Sequence, residues 1–112
     1  MATERCQKLY VKAVVYKGNR ILGAGENRPI TPCDDHTCHH NNHCINSVHA
    51  EAKALLEAGK QAKGASMRTT HEPCHQCRKL IIAAGIEKVY YENEKHDPLN
   101  YKFRGEVKWV KV

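Results

Sequence analysis

Two short segments constrain this chain more than anything else in it: His49-Ala50-Glu51 and Pro73-Cys74-His75-Gln76-Cys77. Each stands where a helix is expected to open. Ser47 is placed to cap the first helix, which is expected to run to about Gly59 with Val48, Ala52, Leu55 and Leu56 as its apolar face. Pro73 opens the second and Gly85 closes it, with Cys77, Leu80, Ile81 and Ala84 as the inward stripe. Between them, Ala65 to Thr70 reads as a strand. A chain that must bring two helix openings together across one strand has few architectures available.

The remaining segments fit one of them. Leu9 to Tyr16 is rich in β-branched and aromatic residues and predicts a strand. Lys17-Gly18-Asn19-Arg20 is a turn, and Arg20 to Gly25 pairs back. Ile86 to Tyr91 and Glu106 to Val112 are two further strands, separated by a polar loop from Glu92 to Pro98. Strand and helix alternate through the second half, which predicts an α/β class with a mixed sheet of about five strands. At 112 residues the chain is a single domain, 1–112. Between Arg28 and Asn46 runs a long polar loop, and a loop of that length is usually functional or held by something.

The two motifs offer one imidazole and two sulfurs. Three protein ligands leave a fourth zinc position for water, which is the catalytic arrangement. A CxxC pair at a helix start places its sulfurs near the positive end of the helix dipole, which favours thiolates. Glu51 shares the first turn with His49 and can reach the water beside the metal without being a ligand, so it is the candidate proton shuttle. Alone, CxxC is equally at home in structural zinc sites. Such a site requires a fourth protein ligand, and His71 and His75 are the candidates by proximity. The ordered pair of motifs, each opening a helix, favours the catalytic reading.

Composition narrows the classes. Lys and Arg number 18 against 12 acids, a net charge of +6, which suits an anionic partner but is also what a solvated basic surface looks like. The basic residues form no dense block. With one Trp, five Tyr and one Phe, there is little material for a base-stacking groove, and Trp109 reads as core or interface. No apolar run approaches the roughly 20 residues needed to span a bilayer, and the first residues lack an apolar signal core. The expected address is cytoplasmic, with no membrane partner. In that setting six Cys and eight His argue for metal before disulfides.

H-x-E followed by P-C-x-x-C is the signature of zinc nucleobase deaminases, and the resemblance reaches further. Pro73 to Tyr91, Cys44 to Glu51, the segment from Arg5 through Tyr16, and Gly25 to Pro29 all resemble the deoxycytidylate deaminase family of the cytidine deaminase superfamily. The resemblance implies a three-layer cytidine-deaminase-like fold, zinc-dependent hydrolysis of dCMP to dUMP with release of ammonia, and a homo-oligomer. It implies one catalytic zinc on His49, Cys74 and Cys77, with Glu51 catalytic. Asn27 matches the residue that contacts sugar and base, Ala50 the position whose backbone meets the pyrimidine, and Tyr91 a strand-end tyrosine near the substrate. The chain departs from the family at Glu26 and Arg28, which stand for tyrosine and glycine, and Arg28 is a candidate for a phosphate. The family's first helix is nearly absent, so the sheet face it would help cover, with Val11, Ala13, Val15 and Ile21, is expected to meet a second copy; the tail after Asp97 is short.

Cys33, His36, Cys38, His39, His40, His43 and Cys44 crowd the long loop. Some family members hold a second, structural zinc there with a cysteine from the chain start. The expected ligands are Cys6, Cys33, His39 and His43, with Cys38 and Cys44 as alternatives. Two other functions were weighed: deamination of a base in single-stranded nucleic acid, and a zinc-stabilised binding module without turnover.

Overall fold

A computed structural model describes residues 10–29, 39–40, 43–44 and 47–112. Its strands are β1 Lys12–Lys17, β2 Arg20–Glu26, β3 Arg28–Pro29, β4 His39–His40, β5 His43–Cys44, β6 Ser47–Val48, β7 Ser66–His71, β8 Lys88–Asn93 and β9 Lys108–Lys111. The helices are α1 Ala50–Ala58 and α2 His75–Ala84. Five strands make one mixed sheet in the order β2-β1-β7-β8-β9. The hairpin partners β1 and β2 run antiparallel, β7 runs antiparallel to β1, and β7, β8 and β9 run parallel. The α/β class with a five-stranded mixed sheet is the one expected. The family's first helix, expected to be nearly absent here, would fall in residues 1–9, outside the described residues.

Both helices lie on one face of the sheet. Beneath them, Ala13, Val15, Met67, Val89 and Ile81 are fully buried, and each buried large aliphatic side chain stabilises the fold by about 1.5–3 kcal/mol. Gly23 and Gly25 let α1 approach β2 backbone to backbone. A Cβ on Gly23 would lie 2.3 Å from the Ala54 carbonyl oxygen, and one on Gly25 would lie 2.4 Å from that of Ala50. So close an approach admits only small side chains, and α1 buries Ala50, Ala54 and Ala58. This corrects the expected face in part, for Leu55 is buried as expected but Leu56 is not. Leu56 is 79% exposed, while Glu51 is buried. Ser47 does not cap α1. It belongs to β6, where it pairs with Pro29, and His49 occupies the N-cap position.

α2 departs from expectation in the same way. Leu80 is 49% exposed, and Arg78 takes an inward position with Cys77 and Ile81. Gly85 ends α2 in the left-handed region at φ 84°, its N–H bonded to the Ile81 and Ile82 carbonyls. Trp109 on β9 packs against the core edge, and its indole N–H donates to the Arg104 carbonyl at 2.9 Å.

Candidate metal centre

His49 directly follows β6 of the short β3–β6 ladder, and Cys74 stands three residues past the end of β7. Gly25 under Ala50 fixes the start of α1, and the backbone of Arg28 pairs with Val48 next to His49. The ligand atoms of His49, Cys74 and Cys77 all lie within 4.8 Å of one another. His49 Nδ1 is 3.2 Å from Cys77 Sγ and 3.8 Å from Cys74 Sγ. Around a tetrahedral zinc, with bonds of about 2.3 Å to sulfur and 2.0–2.1 Å to nitrogen, donors stand roughly 3.5–3.8 Å apart. The donor set fits zinc in both chemistry and spacing.

The charges of these groups are coupled. Cys74 is lowered to about 3, because Cys77 hydrogen-bonds to its sulfur; burial opposes this, and His49 reinforces it. Cys77 is pushed far up by its hydrogen bond to Cys74 and by burial. His49 is raised chiefly by its hydrogen bond to Cys74, against burial. Cys77 is the nearer sulfur to the ring, while the hydrogen bond to Cys74 is the larger influence raising it. Glu51 is 5% exposed, and burial raises its carboxyl, against its own backbone N–H and the His49 charge. The charge of Lys95, on the loop after β8, also reaches His49, Glu51 and Cys77.

Neither histidine considered as a fourth ligand joins the group. His71 Nδ1 is 2.9 Å from the Thr70 hydroxyl, and His75 Nδ1 is 2.9 Å from Asp97 Oδ2. Among the described residues no fourth side chain closes the site. Three protein donors with a free fourth position is the arrangement of a catalytic zinc site, and four protein donors that of a structural one.

The residues expected near substrate lie on separate elements. Ala50 is buried as the first residue of α1. Asn27 follows β2; its Oδ1 accepts the Val11 N–H at 2.9 Å and its own N–H donates to the Val11 carbonyl at 3.2 Å, so it braces the start of β1. Tyr91 is half-buried beside Glu72 and Arg78, and burial raises its hydroxyl. In the long loop, β4 and β5 pair His39 with Cys44 and His40 with His43. Cys6, Cys33 and Cys38 lie outside the described residues.

Sequence reading passed over Glu72, Arg78, Lys95 and Asp97. Arg78 Nη2 donates to Glu72 Oε2 at 2.8 Å, and its guanidinium stacks on Trp109 with the carbon 4.0 Å from the ring centroid. These partners are 6 and 31 positions away, and no local pattern announces them.

Fold and site together define a class: an α/β domain with a His-Cys-Cys group fit for zinc at two helix N-termini and a buried carboxylate beside it. The cytidine and deoxycytidylate deaminase zinc-binding region matches residues 1–93. ComE operon protein 2 of Bacillus subtilis is 38% identical over 96 residues, covering 80% of this chain and 51% of that protein. The deoxycytidylate deaminase of mycobacteriophage D29 is 36% identical over 106 residues, covering 80% of this chain and 82% of that one. The chain thus spans about half of the Bacillus relative and most of the phage one. The dCMP deaminase of cyanophage S-TIM5, solved with dCMP and dUMP, superposes with a TM-score of 0.77 at 32% identity, over 97% of this chain and 85% of that one. The chain belongs to the cytidine and deoxycytidylate deaminase family.

Proposed function

We propose that this chain is a zinc-dependent hydrolase that converts dCMP to dUMP and ammonia. The observation that carries this reading is the open His49–Cys74–Cys77 group with Glu51 buried beside it. Zinc on these residues would supply a water acidified enough to ionise near neutral pH. Glu51 would take one proton of the attacking water and pass it to the ring nitrogen beside C4. It would then take the second proton from the new C4 hydroxyl and pass it to the amine, which leaves as ammonia when the C4–N bond breaks. Burial suits this role, because a raised carboxyl holds the proton between transfers. Asn27, the Ala50 backbone and Tyr91 orient the nucleoside, and Arg28 meets its phosphate.

The relatives named deoxycytidylate deaminase, and the cyanophage dCMP deaminase solved with dCMP and dUMP, support a free nucleotide over a nucleic acid. Ammonia release from dCMP, deoxycytidine, dCTP and a cytosine-containing oligonucleotide tests this. Turnover of dCMP far above the other three is expected. Preference for the oligonucleotide would overturn the substrate, and no turnover by zinc-loaded protein would overturn the activity.

A second, structural zinc in the long loop belongs to the same reading. Its expected ligands are Cys6, Cys33, His39 and His43, with Cys38 and Cys44 as alternatives, and the backbone ladder that pairs His39 with Cys44 and His40 with His43 supports a gathering of these residues.

Homo-oligomeric assembly follows from the sheet. Sheets with parallel strands rarely leave a face to water. The apolar residues of the face away from the helices are Val14, Tyr16, Ile21 and Tyr90, with Ile21 68% exposed. Val11, Ala13 and Val15, expected on that face, lie in the core instead. A second copy covering this patch gives a closed symmetric oligomer. No helix among the described residues is long and apolar enough to cross a membrane, which accords with a cytoplasmic setting.

A further inference from the structure

The family match stops at residue 93, yet the stretch that follows is bonded to the zinc-binding turn on both sides of Cys74. Ahead of Cys74, the Pro73 carbonyl accepts from Asn100 Nδ2 at 3.2 Å and from Arg78 Nε at 3.4 Å. After Cys74, Asp97 Oδ2 accepts the His75 backbone N–H at 2.8 Å and the His75 ring Nδ1–H at 2.9 Å. Asp97 Oδ1 meanwhile accepts the Leu99 N–H at 2.9 Å, which fixes the carboxylate plane. The Lys95 N–H donates to Glu72 Oε1 at 3.3 Å, and Arg78 Nη1 reaches the Phe103 carbonyl at 3.4 Å.

The reason for so many bonds lies in the helix N-terminus. Cys74 is the N-cap of α2 and makes no side-chain cap hydrogen bond. Serine or aspartate at that position would satisfy the first N–H groups of the helix from within. A cysteine whose sulfur faces His49 and Cys77 leaves that duty to another residue. Asp97 performs it from 22 positions away, and its negative charge also favours the positive end of α2. Asn100 shows that the contact on the other side matters too. Its amide is turned so that Nδ2 meets Pro73, although Oδ1 is then buried without a partner among the described residues. Leaving such an acceptor unmet costs about 1–3 kcal/mol.

We infer that Asp97 and Asn100 are positioning residues for Cys74: they pin the two peptide units that flank it and so set the direction in which its sulfur is offered to zinc. The inference rests on the zinc-centre part of the proposed function and not on the substrate.

The test uses the full-length zinc-loaded protein and its cobalt-substituted form. Zinc release to a chromophoric chelator is timed for wild type, Asp97→Ala, Asp97→Asn, Asn100→Ala and Tyr101→Ala, the last an exposed residue of the same stretch. Asp97→Ala and Asn100→Ala are expected to release zinc about 10–100-fold faster, the usual effect of losing a partner behind a ligand. The cobalt–thiolate absorption band is expected to weaken or shift in both. Asp97→Asn keeps one acceptor oxygen for His75 and recovers part of the slow release, and Tyr101→Ala behaves as wild type. Wild-type release rates and bands in both alanine variants overturn the inference. So does faster release that simply follows lost melting temperature across all variants, Tyr101→Ala included. If Asp97→Ala does not fold, Asp97→Asn and Asn100→Ala decide. Wild type that holds zinc but deaminates no cytosine nucleotide defeats the proposed activity and leaves this inference standing; wild type with no zinc on these ligands defeats this one.

Discussion

Gly25 lies on β2 under the first turn of α1, and giving it a methyl group should harm catalysis more than stability. In Gly25→Ala the new Cβ meets the Ala50 carbonyl oxygen at 2.4 Å, Ala54 N at 2.9 Å and Lys53 Cβ at 2.9 Å. Real Cβ contacts essentially never fall under 3.0 Å, and two of these three neighbours are helix backbone that cannot rotate aside. Strand and helix must separate by roughly half an ångström, and overpacking of this kind costs about 1–3 kcal/mol. The shift falls on Ala50, between His49 and Glu51. Misplacing reacting groups by about 1 Å can cost on the order of a hundredfold in rate, so about half that displacement is expected to cost roughly tenfold. Gly23→Ala is the matched control. Its Cβ meets the Ala54 carbonyl oxygen at 2.3 Å and Ala58 N at 2.7 Å, a comparable clash one turn further along α1. The two variants should therefore lose similar melting temperature, while ammonia release, measured with saturating zinc below both transitions, falls about tenfold further in Gly25→Ala. Equal losses of turnover, or wild-type turnover in Gly25→Ala, would refute the link between this packing and the position of the catalytic pair.

Glu51→Gln should keep zinc and fold but lose turnover by about 10²–10⁴-fold, as loss of a general acid/base does; metal analysis beside kinetics checks both halves. Wild type is expected to carry more than one zinc per chain, and Cys6→Ser and Cys33→Ser should each lower the count and the melting temperature while the His49 site stays filled; a wild-type stoichiometry of one removes the second site. Light scattering at low micromolar concentration should give a mass well above 12.7 kDa, and a strictly monomeric active protein would show that something else covers the open face. Asp97 is pushed up by desolvation but brought down to about 2 by the His75 and Leu99 N–H groups and the His75 ring, below its ordinary 3.8. A depressed carboxyl stabilises the fold above its unfolded value and ceases to do so as pH falls through the folded one. The melting-temperature gap between wild type and Asp97→Asn should thus be full above about pH 5 and close between 3.8 and about 2.

The motifs made the metal group legible before any coordinates, because helix openings and donor spacing are local properties. The strands were legible for a similar reason: the β-branched run around Val11 to Tyr16 and the Gly18-Asn19 turn describe their own neighbourhood. What could not be read is which side of each element faces inward. Leu56 outranks Ala54 on any hydrophobic scale, yet the glycines of β2 leave room only for alanine, and they belong to a different element. Arg78 displaces Leu80 from the interior because Glu72 and Trp109 meet its charge there. The same limit reversed the face of β1, where a one-residue change in phase exchanges every inward side chain for its outward neighbour.

The short β3–β6 ladder ties together the two ends of the long loop, Arg28–Pro29 to Ser47–Val48. With β2 locked to α1 just inside that ladder, the points at which the intervening chain leaves and rejoins the fold are held by the ladder itself. Doubling the length of a flexible connection costs only about 0.6 kcal/mol in closure entropy. A longer or shorter connection between the same two anchors would therefore leave the start of α1 where the chemistry needs it.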